Sequence, residues 1–581
     1  MLEKTIYDVI IVGGGPAGCV LASRLSECAD KEVLLIEAGQ DAAAPEAEHP
    51  DLLDPFCLSA SNNPAFQWPR LEADLYGVRA DGLQRKMTPY TQGFSVGGGS
   101  NINGMGVERG QPADYDEWRD LGAEGWGWRE VLPYFKKVEC DLDFPMASSV
   151  HGDRGPMPVR RLARARWAPF AAAVGDALER RGYPFIADYT GSHGDGFSAA
   201  TTNALPERRM SAAMAYLSKQ VRGRSNLTIL ANTRVDRLSL DGRRANGVFI
   251  HGGGSIGPIS GRLVILSAGA IQSPTLLMRS GIGPRQQLEK HGIPVVVDLP
   301  GVGANLQNHP YVMLATYLPK QASQAAGNRW FLQNWLRFSS GLAGCDPHDM
   351  HLMAFNKCAW HTLGHRVGAI SLSVFKPYST GRVDLASRQP LVEPKIRFNM
   401  FEDGRDEQRL VSGLKFVLEL LEDPGVARMH RELFFPDGRL VASLNGKTTR
   451  NRLQAATIAG ILERPWLRRI LIGKSTIDQR RLMHDEGALR DFVRQTAQVQ
   501  YHVCGTCRMG KEGDTNVVVD AAGRVKGTRG LRIVDASVFP TIPRSNLQFP
   551  VLMTAEKMAD AVKAAWSARS GRPISIAASC G

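Results

Sequence analysis

Residues 6–12, IYDVIIV, form an almost unbroken apolar run rich in β-branched side chains, which predicts a buried strand. GGGPAG follows at once, and the next stretch, CVLASRLSE, places its apolar residues at helical intervals. A second apolar run, KEVLLIEAG (31–39), predicts another strand, with Glu37 near its end. Strand, glycine turn, helix and strand in that order predict an α/β fold whose first unit is Rossmann-like. Much later, ERPWLRRILIGK within 450–485 has the pattern of an amphipathic helix, expected to pack internally as a helical insertion. No run of eighteen apolar residues occurs, so no membrane span is predicted. Neither repeats nor Gly/Ser linkers are present, which predicts interleaved rather than beaded domains. The opening MLEKTIYDVIIVGGG enters a strand directly, without the pattern of a signal peptide, so the expected location is cytoplasmic.

Composition changes this picture little. A chain of 581 residues is too long for one small core. The net charge of +12 raises the question of nucleic acid, yet the basic residues are dispersed and the densest patch, RRLARARW (160–167), accompanies no nucleic-acid motif. No nucleic-acid partner is predicted, and a dianionic cofactor absorbs part of the excess charge. Nine cysteines, an odd number, are too sparse for a disulfide scaffold.

The glycine turn carries the first chemistry. Gly13, Gly15 and Gly18 stand in G-x-G-x-x-G spacing, with Pro16 and Ala17 completing the turn and Glu37–Ala38 about twenty residues on. Gly13 permits the turn, Gly15 admits a pyrophosphate, and Gly18 lets the helix pack closely. The helix N-terminus faces the phosphates, and Glu37 can accept from ribose hydroxyls. This spacing predicts ADP-ribose binding without separating NAD from FAD. Near the other end, YHVCGTCRMG (501–510) offers a C-x-x-C pair and a histidine. A zinc site needs two further ligands, and none presents itself, so no metal is predicted.

Several stretches resemble the glucose–methanol–choline (GMC) oxidoreductases. TQGFSVGGGSNINGMGVERGQPADYDEW (91–118) looks like their first signature and GAIQSPTLLMRSGIG (269–283) like their second. GVGANLQNHP (301–310), YSTGRVDLASRQPLVEPKIRFNM (378–400), YHVCGTCRMG and LRIVDASVFPTIPRSNLQFPVLMTAEKMAD (531–560) are similar to later family segments in the same order. Region 349–368 adds a likeness to bacterial oxidases of furfuryl and aryl alcohols. The resemblance implies non-covalent FAD, an FAD-binding domain from 1–155, 226–310 and 496–570, and an α+β substrate domain with an antiparallel sheet from 156–225 and 311–495. It implies that the loop of Gly97, Gly98, Asn101, Ile102, Asn103, Gly104 and Met105 lies along the flavin, although composition alone leaves a structural turn equally open. Val235, Ala268, Gly269, Asp535, Ala536, Gln548 and Tyr501 are further cofactor-side residues by resemblance. Asp535 alternatively caps its own turn, Val235 is equally a core residue, and Tyr501 either walls the pocket or packs the core.

By the same resemblance, His502 and Asn546 form the catalytic pair. A near-neutral imidazole takes the alcohol proton, and an amide holds the developing alkoxide. The expected reaction oxidises primary aryl or furfuryl alcohols to aldehydes, and onward through aldehyde hydrates, with dioxygen as acceptor. A dehydrogenase using a quinone or another acceptor, and a hydroxynitrile lyase, are the alternatives. Cys507 is ordinary for the segment, so the C-x-x-C pair is expected to be inert. Three positions depart from the family: Ile102 where some members attach FAD through histidine, Phe94 for a basic residue, and Asn308 for an aspartate. Oligomeric state is not read from the sequence.

Overall fold

The computed structural model describes residues 6–77, 86–144, 149–251, 258–325, 327–435 and 444–570. The first five residues of the expected FAD segment lie outside that set.

Two seven-stranded sheets organise the chain. The first is centred on β1 (Tyr7–Val12), which pairs in parallel with β2 (Val33–Ile36) on one side and with Ile259–Leu266 on the other. Leu227–Leu230 extends it beyond β2, and Leu531–Ile533 adds a parallel strand beside Ile259–Leu266. An antiparallel hairpin, Val235–Asp241 and Arg244–Ile250, completes the sheet. Helix α1 (Pro16–Leu25) starts with Pro16 at its first turn, where a missing N–H costs nothing. Eight of its ten residues are buried between this sheet and α3 (Gln548–Ser570). A helix buried all round needs no amphipathic stripe.

The second sheet is antiparallel throughout, in the order Leu433–Phe434, Pro310–Tyr317, Val367–Val374, Met350–Phe355, Leu332–Phe338, Gly196–Ala199, with Gln498–Val499 also pairing onto Pro310–Tyr317. Helix Gly404–Leu421 covers it, closely enough at Gly413 that a Cβ there would lie 2.9 Å from Leu372 Cδ2 and Met350 Cε. Segment 498–507 leaves this sheet at Val499 and crosses to the first, where Gly505 N donates to Ala536 O and Thr506 Oγ1 to Ala270 O. His502 thus sits at the junction of the two sheets.

Two sequence expectations meet the structure here. Two of the four arginines of 160–167 are engaged within the protein: Arg161 makes a bidentate pair with Asp141 at 3.0 and 2.9 Å, and Arg164 bridges Asp176 and Glu179. The amphipathic segment is helical at Pro465–Ile472, but two of its large apolar side chains, Trp466 and Ile470, do not pack internally as expected. Trp466 and Ile470 are 60% and 70% exposed. Arg468 takes the inward face instead, because Glu432 and the Leu462 carbonyl receive its guanidinium. Two residues either way on a helix is about 200°, so 466 and 470 point outward. Among the described residues, no helix is long and apolar enough to cross a membrane.

Candidate active site

A cavity of ≈ 680 Å³ runs from the glycine turn to His502. Gly13 has φ +105°, and a Cβ there would lie 2.5 Å from Ser267 O, so both conformation and space require glycine. Gly15 differs. Its φ of −66° and ψ of −173° suit any residue, and its Cβ would find only Ser267 O at 3.9 Å. The space a side chain would take at Gly15 belongs to the cavity, as expected of a phosphate cradle at the start of α1. Gly98, with φ +50°, closes the cradle from the other side, its Cβ direction ending 2.8 Å from Gly15 Cα.

Glu37 reaches back to this turn. Its Oε2 accepts from Gly14 N at 2.7 Å and its Oε1 from Gly39 N at 2.8 Å. Burial pushes the carboxyl up to about 7. Val235 and Ala38 line the same end of the cavity. So do three side chains with buried, unpartnered N–H groups: Trp68 at Nε1, Arg234 at Nη2 and Arg279 at Nη1. Ser267 Oγ and Gln548 Nε2 are likewise buried and unpartnered. Orphaned polar groups of this kind are uncommon, and here they face a cavity that a polar nucleotide would fill. The residues present fit FAD.

Of the expected cofactor residues, Gly13, Gly15, Pro16, Ala17, Glu37, Ala38, Gly98, Ile102, Asn103, Gly104, Met105, Val235, Ala268, Gly269, Tyr501, Asp535, Ala536 and Gln548 line the cavity. Gly18, Gly97 and Asn101 do not, and for each the reason is packing. A Cβ on Gly18 would strike Gly13 O at 2.0 Å, so this glycine lies beneath the turn. Gly97 donates its N–H to Gly14 O at 2.7 Å, tying the two loops together. Asn101 turns inward and donates to Ser95 Oγ and Val96 O. Asn103 donates to Gln548 Oε1, joining the loop to the start of α3. Asp535 lines the cavity but uses its carboxylate as a cap, accepting from Ser537 N at 2.8 Å, Gly269 N at 2.9 Å and Ser273 Oγ at 2.6 Å. It thereby fixes the N-terminus of α2 (Gly269–Arg279). Tyr501 is 59% exposed with its ring against Tyr90, which places it on the cavity wall rather than in the core.

At the far end, His502 and Asn546 come together on the cavity lining. Asn308 holds the backbone beneath His502: its Oδ1 accepts from His502 N at 3.1 Å and His309 N at 2.9 Å, while its Nδ2 donates to Tyr90 Oη. His502 Nδ1 lies 2.9 Å from His309 Nδ1. Burial depresses His502 to about 4, opposed by the nearby Glu108 carboxylate, so the ring is neutral at physiological pH. Glu108 is buried and held below the usual carboxylate range by His351, whose Nε2 is 3.2 Å away. Its other oxygen accepts from Asn546 N at 3.1 Å. Asn546 Nδ2 packs onto Gly106, where a Cβ would come within 2.6 Å. Gly106→Ala is therefore expected to displace the amide and lower kcat/KM for alcohols about 10- to 100-fold with bound flavin unchanged. Steady-state kinetics with a flavin absorbance ratio checks this.

The cysteines are bland. Cys504 and Cys507 are fully buried, and burial pushes both thiols up, away from the thiolate form. Among the described residues no cluster of His, Cys, Asp or Glu is suited to a metal.

Models of the GMC oxidoreductase family match residues 7–311 and 377–555. The chain belongs to the GMC oxidoreductase family. This GMC chain is 38% identical over 573 residues to a 5-(hydroxymethyl)furfural oxidase of Methylovorus sp. (strain MP688), covering 97% of this chain and 99% of the relative. It is also 33% identical over 582 residues to an oxygen-dependent choline dehydrogenase of Vibrio vulnificus (strain YJ016), with 96% and 94% covered. Among solved structures, pyridoxine 4-oxidase from Mesorbium loti superposes with a TM-score of 0.77 at 28% identity, covering 96% of this chain and 99% of that one. The protein is an FAD-dependent oxidoreductase acting on alcohols.

Sequence reasoning missed His309, Glu108, Arg234 and Arg279, and saw Asn308 only as a departure. His309 lies inside the quoted GVGANLQNHP motif, so a signal existed. Glu108 lies inside the first signature, masked by ordinary surface chemistry. Nothing local distinguishes the two arginines, because what marks them is a single buried nitrogen each, Arg234 Nη2 and Arg279 Nη1, left unpartnered while the rest of the guanidinium is held by Glu393 and by Asp236 O.

Proposed function

We propose that this enzyme oxidises uncharged primary aryl or furfuryl alcohols to aldehydes, with dioxygen as acceptor and FAD held without a covalent bond. The observation that carries the substrate class is the cavity wall beside His502. The second sheet contributes Met313, Leu332, Met353 and Phe355 beside Tyr311 and Ser371, joined by Phe331 and Leu547. Among the described residues, the carboxylates on the lining are Glu37 and Asp535, both already accepting from backbone N–H groups. An apolar wall with no free carboxylate suits a flat neutral ring and offers a cation no ion-pair partner. The alkyl side chain of Ile102 offers no nucleophile for attachment.

Neutral His502 removes the hydroxyl proton, and Asn546 donates to the oxygen as negative charge develops. FAD held by the Gly13–Gly15–Gly98 cradle would supply the hydride acceptor for the carbinol carbon and a route for the electron pair to dioxygen, with peroxide as co-product. Glu108 fixes Asn546 through its backbone N–H and lends His502 a nearby negative charge for the proton it takes. An aldehyde hydrate offers the same O–H and C–H pair, so oxidation onward to an acid uses the same residues.

The choline relatives make an alkylammonium alcohol the second reading. Furfuryl or benzyl alcohol is expected to exceed choline in kcat/KM by at least about 100-fold, with one peroxide per aldehyde. Equal or better turnover of choline would overturn the substrate class.

The acid side of the pH profile follows from His502. The neutral ring is the base, so activity is full above its pKa and lost as pH falls through about 4, well below the position of an ordinary histidine. Asn308→Asp puts a negative charge beside the ring and is expected to move that limb upward, as read from kcat/KM against pH.

A further inference from the structure

The shortest polar contact of His502 is not with the cavity but with a second histidine behind it. His309 is fully buried, at the start of strand Pro310–Tyr317 in the second sheet. Its ring stacks on Phe375, with centroids 4.5 Å apart and planes 17° apart. His351 stacks on the other side of Phe375 at 4.3 Å and 3°. The column fixes the plane of the His309 ring, and its Nδ1 meets His502 Nδ1 at 2.9 Å.

We propose that His309 is a positioning residue that dictates which ring nitrogen of His502 carries the proton, leaving His502 with a bare Nε2 toward the alcohol. Both rings are neutral in this burial, so one proton lies between the two Nδ1 atoms. Which ring owns it follows from what else surrounds His309. The backbone carbonyls of Phe375 and Pro543 lie near that ring, and a carbonyl favours an N–H over a lone pair. The His309 Nε2 is buried and makes no hydrogen bond of its own, so those carbonyls act on it as nearby dipoles. The proton of His309 therefore belongs on Nε2, its Nδ1 is an acceptor, and His502 Nδ1–H is the donor. The hydrogen bond made by one imidazole nitrogen fixes the state of the other. With His502 Nδ1 turned into the protein, the nitrogen left for the cavity is Nε2, and it holds a lone pair. The opposite arrangement would put a hydrogen on that nitrogen, and the ring could donate to an alcohol but take nothing from it. Once His502 has taken the alcohol proton, its Nδ1–H bond to His309 becomes charge-assisted and shortens the list of orientations the cation can adopt.

This inference rests on the reading of His502 as the base, and its test separates the two. The holoenzyme labelled with ¹⁵N-histidine, with the His502 resonances identified by their loss in His502→Gln, is expected to show a protonated Nδ1 and an unprotonated Nε2 near pH 7. A protonated Nε2 overturns the proposal. His309→Leu removes the acceptor, and a mixture of His502 tautomers with a fall of about 100-fold or more in the rate of alcohol-driven flavin reduction is expected. His309→Gln restores an acceptor oxygen and is expected to keep the tautomer and remain within about tenfold of the parent rate. An unchanged tautomer and rate in His309→Leu, or equal losses in both variants, overturns it. Wild-type flavin reduction in His502→Ala would instead overturn the reading of His502 as base, without touching the nitrogen spectrum.

Discussion

His502→Ala remains yellow and loses about 10³-fold or more in the rate of alcohol-driven flavin reduction, the range expected when a positioned general base is removed. The flavin stays because the cradle is built elsewhere, from Gly13, Gly15, Gly98 and Glu37 on the first sheet. His502 reaches the cavity from a crossing segment whose backbone is held by Asn308 and by the Gly505–Ala536 hydrogen bond, neither of which uses the imidazole. Truncation therefore removes the base without removing its support. It leaves His309 Nδ1 without its partner inside a dry site, which costs stability on the order of 1–3 kcal/mol. A modest drop in melting temperature beside the large kinetic loss is the expected pair of results, measured by stopped-flow absorbance and thermal unfolding. A rate within tenfold of the parent would remove His502 from the role of base.

The second large effect is at Gly15. Gly15→Val is expected to give a folded, colourless protein whose FAD affinity is lower by at least about 100-fold, ~3 kcal/mol, the scale of one or two lost charge-assisted hydrogen bonds. The backbone there already has φ −66°, and the new Cβ meets no protein atom closer than 3.9 Å, so folding is not opposed. The side chain enters the cavity at the N-terminus of α1, where the pyrophosphate needs bare N–H groups. Gly18→Ala is the contrasting case: its Cβ collides with Gly13 O at 2.0 Å, so it is expected to unfold the turn itself. Circular dichroism of the two proteins, with FAD titration of Gly15→Val, distinguishes a lost ligand from a lost fold. Tight FAD binding by Gly15→Val would show that the pyrophosphate lies elsewhere.

The legible parts of this molecule were those written in consecutive residues. IYDVIIV-GGGPAG gave a strand, a turn and a helix because periodicity and glycine spacing are local, and the parallel pairing of Tyr7–Val12 with Val33–Ile36 follows from the helix between them. Gly97 and Asn101 show the limit: a signature fixes the loop, but not that Gly97 N–H ties to Gly14 O or that the Asn101 amide turns inward to Val96 O. The exposure of Trp466 and Ile470 was misjudged because a helical wheel shows an apolar face without knowing that Glu432 would claim Arg468 for the inside. His309, Phe375 and His351 come from separate stretches and meet only because antiparallel register sets His351 opposite Ser373, one pair from the strand's end. No local pattern carries the register that sets position 351 opposite position 373.

The most direct measurement is anaerobic mixing of the yellow enzyme with furfuryl alcohol, followed by admission of air. Loss of the flavin band on mixing, and its rapid return with one peroxide formed per aldehyde, is the expected result. A flavin band that stays unchanged in the presence of furfuryl and benzyl alcohols would contradict alcohol oxidation at His502.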